Sequence, residues 1–394
     1  MLRSLVPTVR RGSRTLAFAT AAAPIFVGLA ARADAPLFGG APVPAITRSQ
    51  AEMIGLNAES LIPTIMAGVA TGGNPFNDSP TARIDPNTNV QPFGGVVAIG
   101  YGSASSASAL CTGTLIAPDL VLTAAHCVDL VGSDGIADVP PSQLPVFVNS
   151  GGTHAATLQV SFIHVNPEYT GFDNPSVGDD LALLRLATPA PSGTPIYPIA
   201  ALSGVAPTGF VYPLIMVGYG RSGYGDAGFS VGATTVNRRV GANLLEAYYT
   251  GETSEGDAAT VENFEYDFES TAAGASAGTF EDFSLYPVSS GSSYNSFPYS
   301  LGNDVETVVM PGDSGGPAFY WNPNDGQYYL AGVNTYIYRP SEGALGAFGT
   351  VGGGVWLEGY VPWLESYVPE PSTWCAAGSI GVLAVRSWMR RRSA

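Results

Sequence analysis

The chain has no lysine; all 16 of its basic residues are arginine. Charged residues make up 12% of its 394 positions, and there are three histidines and three cysteines. So little charge leaves a surface of Ser, Thr, Gly, Asn and Tyr. The formal net charge of −16 argues against a nucleic-acid partner, because phosphate backbones are bound by basic patches. The arginines are also concentrated at the ends, with Arg3, Arg10, Arg11 and Arg14 in one group and Arg386, Arg390, Arg391 and Arg392 in the other. The body is therefore more acidic than the total. Three histidines leave three candidates for an imidazole base. What the chain has in quantity is apolar residues, 45%, enough for a large core, together with 49 Gly and 31 Pro.

The two ends read as targeting segments. An arginine-bearing start precedes the apolar run "LAFATAAAPIFVGLAA", and "ARA" at 31–33 offers small residues for cleavage after Ala33, so residues 1–33 form a secretory signal. A transmembrane anchor is the alternative, but the run is Ala-rich and short for a span. Residues 34–83 are rich in Ala, Pro, Gly and Asn and read as a pro-segment or linker, with one weak helical stretch from Ser49 to Met66. From residue 93 the pattern is one of short β runs, among them "GGVVAIGYG", "ALCTGTLIA", "LVLTAAH", "DLALLRL" and "QYYLAGVNTYIY". Their Gly, Pro, Asn and Asp punctuation indicates an antiparallel sandwich or barrel. "GYVPWLESYV" reads as a terminal helix. Residues 222–305 break the rhythm with carboxylates from Glu246 to Asp282 between Gly/Ser runs. A long solvated insertion is the expectation there. Calcium suits such carboxylates, yet no spaced ligand motif appears.

"PGDSGGPAF", residues 311–319, sets Ser314 in a tight turn. A serine hydroxyl is a weak nucleophile until a base takes its proton, and the base needs a carboxylate to fix its tautomer. His126 stands in "LTAAHC", at the end of an apolar strand and beside Cys127. His154 and His164 lie in plain strand contexts and read as surface or structural. Asp180, in "GDDLALLRL", opens a buried strand. Each segment alone is weak; the three in one exported all-β chain are strong together. Cys111 and Cys127 flank "CTGTLIAPDLVLTAAH" and are candidates for a disulfide in an oxidising compartment, with two free thiols as the alternative. Cys375 has no obvious partner.

These motifs resemble those of trypsin/chymotrypsin-type serine proteases. "LTAAHC" is similar to the family's histidine motif, "DLALL" to its aspartate motif and "GDSGGP" to its serine motif. "VGYG" at 217–220 and "YVPWL" at 360–364 resemble the run between its two barrels and its terminal helix. The resemblance spans residues 84–367, apart from the insertion at about 222–305. It implies an all-β fold of two antiparallel six-stranded barrels with a short C-terminal helix and the triad in the cleft between them. His126 is then the base, Asp180 its orienter and Ser314 the nucleophile, while the amides of Gly312 and Ser314 form the oxyanion hole. The same resemblance implies a Cys111–Cys127 disulfide stapling the histidine loop. It also implies that Asp313 pairs with a new terminus at Ile84 after cleavage behind Arg83, although the usual Val-Gly-Gly is replaced by Asp85-Pro86-Asn87.

The resemblance further assigns Val308 to the floor of the specificity pocket, Thr335, Tyr336 and Ile337 to one wall and Gly354 to the opposite wall. Met310 takes the place of a cysteine usual there. An apolar floor and a β-branched wall imply a preference for small or medium aliphatic residues before the scissile bond. No metal or organic cofactor is required for this chemistry. Residues 368–394, "VPEPSTWCAAGSIGVLAVRSWMRRRSA", resemble a PEP-CTERM sorting tail. Such a tail implies a bacterial host, transient membrane anchoring, an exosortase-type processing partner and a destination at the cell surface or extracellular matrix. Together these readings describe an exported serine endopeptidase acting on protein or peptide substrates. The rivals are a catalytically inactive surface-binding homologue and a matrix protein with an incidental protease fold.

Overall fold

Alternation along the first strands decides the architecture. β1 (Val96–Tyr101), β2 (Ser108–Ala117), β3 (Leu120–Thr123), β4 (Pro145–Ser150), β5 (Thr153–Val165) and β6 (Ala182–Leu186) close into a barrel in the order β1-β2-β3-β6-β5-β4 in the computed structural model. Val97, Ile99, Leu115, Val121, Val146, Leu158, Val160 and Leu184 fill its interior. Their neighbours Val96, Ala98, Leu120, Leu122 and Leu183 point the other way and pack with Val217, Tyr219 and Phe319 from the second half of the chain. Strands buried on both faces read as near-continuous apolar runs rather than as alternation, which is why "LVLT" is buried throughout. Only β5 shows a solvent face, with Gln159 and Ser161 exposed on either side of buried Val160.

The second half is built from β7 (Pro213–Gly218), the β8 (Ser222–Tyr224) and β9 (Gly228–Val231) hairpin, β10 (Arg239–Leu244), β11 (Ala247–Thr250), β12 (Val261–Phe268), β13 (Tyr294–Ser296), β14 (Pro317–Asn322), β15 (Gln327–Tyr338) and β16 (Thr350–Trp356). Apart from the hairpin, these form one eight-stranded sheet in the order β10-β7-β14-β15-β16-β12-β11-β13. The architecture is mostly β, a closed six-stranded barrel beside a curled half-barrel sheet, and is consistent with the chymotrypsin fold. The second unit differs from the six-stranded barrel expected of it. β11 and β13, contributed by the acidic stretch, continue the sheet beyond β12.

The described part of that stretch is also less solvated than expected. β10 pairs with β7 and β12 with β16, and Glu246, Glu265 and Asp267 are buried. These strands carry aromatic residues, Phe264, Tyr266 and Phe268 among them, that pack into the core beside the buried carboxylates. The chain ends in a 3-10 turn, Leu357–Tyr360, and the short helix α1 (Val361–Glu365), whose Leu364 enters the core between the halves.

The structure describes residues 66, 79–85, 92–131, 134–171, 179–200, 213–250, 261–268, 294–296, 301, 306–322, 325–338 and 344–368, all within the unit Pro36–Ala394. The signal segment, the sorting tail with Cys375 and most of the 34–83 stretch lie outside the described residues. Among the described residues no helix is long and apolar enough to cross a membrane.

Candidate active site

The strand that ends at Thr123 delivers His126 on a 3-10 turn, Ala125–Cys127. Cys127 is bonded to Cys111 on β2, so the turn is tied covalently to the barrel wall. Asp180 immediately precedes β6, the strand that pairs with β3, and its side chain is fully buried. One carboxylate oxygen accepts the His126 amide at 2.8 Å. The other lies 2.6 Å from the His126 ring at Nδ1. A carboxylate held at both oxygens fixes the ring's orientation and the proton on Nδ1, leaving Nε2 as the basic nitrogen.

The serine turn comes from the other half, ahead of β14. Thr112, next to Cys111, clamps it: the Thr112 amide donates to the Ser314 carbonyl at 2.8 Å and its hydroxyl to the Gly312 carbonyl at 2.9 Å. Asn334 of β15 holds the far side, accepting the Gly315 amide at its carbonyl and donating its side-chain amide to Gly316 and Pro317 carbonyls. The amides of Asp313, Gly315 and Gly316 are thereby spent on Met310, Asn334 and Asp313 carbonyls. Those of Gly312 and Ser314 take no acceptor among the described residues. Two amides left over in one tight turn are what an oxyanion would require. Gly312 sits at φ 101°, a conformation open to glycine and strained for other residues, and a Cβ there would press on Gly220.

Asp313 is buried beneath this turn. Its carboxylate accepts the Gly220 amide at 2.7 Å and the Met310 amide at 2.8 Å. Burial raises its pKa to about 7, against the lowering effect of those two amides and of the Arg239 charge. In the uncut chain Asp313 and Ile84 each have other partners. The Ile84 amide donates to the Thr81 carbonyl, Ile84 bridges β10 at Arg239, and Arg83 is fully buried. Asp85 enters a buried ion pair with Arg238 at 2.5 Å. Residues 83–85 are thus laid along the edge of β10, after a turn at 79–83.

The expected pocket residues occupy varied places. Val308 is fully buried in the apolar cluster of Met310, Phe264 and Trp356, and Thr335 is buried. The Tyr336 hydroxyl donates to Glu265 at 2.9 Å, which holds that ring toward β12. Ile337 packs on the rim of the same cluster. Gly354 has a reason other than an open pocket wall: a Cβ there would run into the Val333 carbonyl of the neighbouring strand.

Three residues at the site were not anticipated. Asp179 is the only non-glycine with positive φ among the described residues, at 65°. Its backbone amide donates to the Tyr360 hydroxyl, which in turn donates to the Asp179 carboxylate at 2.9 Å. Asn166 holds its carbonyl at 3.1 Å. The chain therefore turns sharply just before Asp180. The only trace in the sequence is the doubled Asp of "GDD". His154 and His164 take no part: His154 stacks on Phe147 and bonds Thr235, and His164 packs against Phe162 and Tyr367.

Known proteins match parts of this arrangement. The model of the Trypsin family matches residues 85–259, which takes in His126 and Asp180 and stops short of Ser314. Human chymotrypsin-like elastase family member 3B is 26% identical over 163 residues, 40% of this chain and 57% of that protein. Human chymotrypsin-like elastase family member 1 is 34% identical over 114 residues, 26% of this chain and 41% of that protein. The chain spans about half the length of the curated relatives it matches. What it is similar to is a trypsin-like serine protease domain with distant elastase relatives.

Proposed function

We propose that the protein is an exported serine endopeptidase that cleaves peptide bonds through an acyl-enzyme. The observation that carries this is the buried Asp180 holding His126 at both its amide and its ring, with the Ser314 turn clamped to the same barrel wall through Thr112. His126 takes the Ser314 proton as the hydroxyl attacks the scissile carbonyl, and the amides of Gly312 and Ser314 receive the oxyanion. The same imidazole returns the proton to the leaving amine. Water then repeats the sequence on the ester and restores the free serine. The buried Asp180 carboxylate stabilises the imidazolium present in both steps.

The apolar Val308 and the neighbouring Ile337 support a preference for small or medium aliphatic residues before the scissile bond. The Asp313 contacts described above favour a site that assembles on the uncut chain, without a new terminus at Ile84. Export, removal of residues 1–33 and processing at Pro369-Glu370-Pro371 by an exosortase-type enzyme rest on the sequence of the two ends alone.

The test is labelling of the full chain with a fluorophosphonate probe. The adduct should map to Ser314 and vanish in Ser314→Ala. A folded wild-type chain that takes no label would instead favour the non-catalytic binding or matrix reading. Intact mass of the protein recovered from its host reports the processing: chains still ending at Ala394 reject it. A peptide-library profile dominated by cleavage after Arg would reject the aliphatic pocket.

A further inference from the structure

Glu246, Asp267 and Glu306 meet inside the second half, far along the chain from one another. Glu246 follows β10, Asp267 lies on β12, and Glu306 precedes the serine turn, bridging Ala242 of β10. Their exposures are 0%, 3% and 0%, and one carboxylate oxygen from each lies within 4.8 Å of the others. The fold draws them together deliberately. Asn243 donates its side-chain amide to both the Asp267 and the Thr307 carbonyls, at 2.5 and 2.7 Å, and the Asp267 amide donates to Glu246 Oε2 at 2.6 Å. A second observation points to a ligand. Glu246 Oε1 and Asp267 Oδ1 are enclosed and have no hydrogen-bond partner among the described residues. Buried carboxylate oxygens without a donor are costly, and they are found where a cation or a proton neutralises them. No arginine or histidine among the described residues forms an ion pair with Glu246 or Asp267.

We infer that Glu246, Asp267 and Glu306 form a binding site for a hard divalent cation of the calcium class. The donors are all oxygen, with no imidazole or thiolate to favour zinc. Oxygens about 2.3–2.6 Å from calcium stand up to about 5 Å apart across the ion, and the three carboxylate oxygens, all within 4.8 Å of one another, fall inside that limit. Magnesium, about 2.0–2.1 Å from its ligands and reluctant to shed water, suits a dry three-carboxylate cage less well. The bound ion would tie β10 and β12 to the segment leading into the serine turn, so its contribution is structural and separate from the proposed hydrolysis.

The experiment uses the full chain after removal of divalent ions by a chelator. Calorimetric titration with calcium chloride should show one ion bound per chain, with magnesium chloride at least tenfold weaker. The thermal midpoint should rise with calcium concentration, as expected for a ligand bound to the folded state alone. The variant Glu246→Gln/Asp267→Asn/Glu306→Gln keeps side-chain size and should lose both effects. Should that variant fail to fold, anomalous scattering from terbium-soaked wild-type crystals locates the ion directly, and a peak among the three carboxylates is the expected result. The inference is overturned by a wild-type chain that binds no calcium, by magnesium binding of equal strength, by an ion found elsewhere, or by a folded variant that binds as well as wild type. A calcium-blind wild type whose midpoint climbs on acidification would assign the cluster to shared protons.

Discussion

The two halves of the molecule solve the same packing problem with different materials. The first barrel is closed, stapled by a disulfide, and lined by Val, Ile, Leu and Ala. The buried charges on its strands and turns are Asp129 and Asp180, among the described residues. The second sheet is open, and it buries Arg238, Arg239, Glu246, Glu265, Asp267, Glu306 and Asp313, with Arg83 and Asp85 laid against it. Apolar burial is insensitive to pH and ions, whereas buried charge must be balanced by a partner, a proton or a cation. The half that holds the base is therefore set by packing, and the half that carries the serine turn is set by ionisation.

The sharpest test of this division removes chemistry without touching either core. Ser314→Ala should lower kcat on the order of 10⁶-fold while leaving thermal unfolding unchanged, and adding His126→Ala should cost little more. Steady-state kinetics beside calorimetry checks both parts. Next in size is Asp313→Asn. One of its two backbone contacts, from Gly220 or Met310, must then face an amide N–H. The oxyanion turn should loosen, and kcat/KM should fall by roughly 10²–10³, the scale of losing one such donor. Active-site titration separates slowed turnover from a smaller folded fraction.

Breaking the first half is a matter of stability rather than rate. Cys111→Ser/Cys127→Ser opens a bridge across a sequence separation of 16 and should lower unfolding free energy by roughly 3 kcal/mol. Hydrogen exchange should show the loss in β2 and the His126 turn while β12 and β16 keep their protection. The smallest effect distinguishes the halves by pH. Asp313 and Glu262 both have pKa values raised to about 7, chiefly by burial, so the folded chain holds protons that the unfolded chain releases near pH 4. Stability from these groups is full below about pH 4 and is lost as pH rises toward 7. In chelator, the thermal midpoint of Ser314→Ala should be a few degrees higher at pH 5 than at pH 8. A midpoint that falls on acidification would show that ionisation does not limit the second half.

How much of this was legible beforehand also divides between the halves. "LTAAHC", "DLALL" and "GDSGGP" mark the three candidate residues because each motif is local in sequence. β15 was readable from end to end because Tyr, Val and Ile dominate it. β10 and β12 were not readable as core strands. Glu246, Glu265 and Asp267 carry the compositional mark of solvent, and burial of an acid depends on partners such as Tyr336, which reaches Glu265 from β15, 71 residues away. The same limit hid the Asp179 conformation, which depends on a hydroxyl 181 residues away. Gly354 shows a further limit: a neighbouring strand's backbone leaves no room for a Cβ there, a constraint invisible in one dimension.

Barrel closure also has a consequence for the order of events as the chain emerges. β1 to β6 are consecutive in sequence, and each pairs with a strand no more than three places along the chain. β7, by contrast, must wait for β14, about a hundred residues later. Local pairings form sooner than distant ones, so His126 and Asp180 should already be joined while the serine segment is still unplaced. A growing or half-threaded chain then carries the proposed base without the proposed nucleophile, and the candidate site is complete only with the last strands.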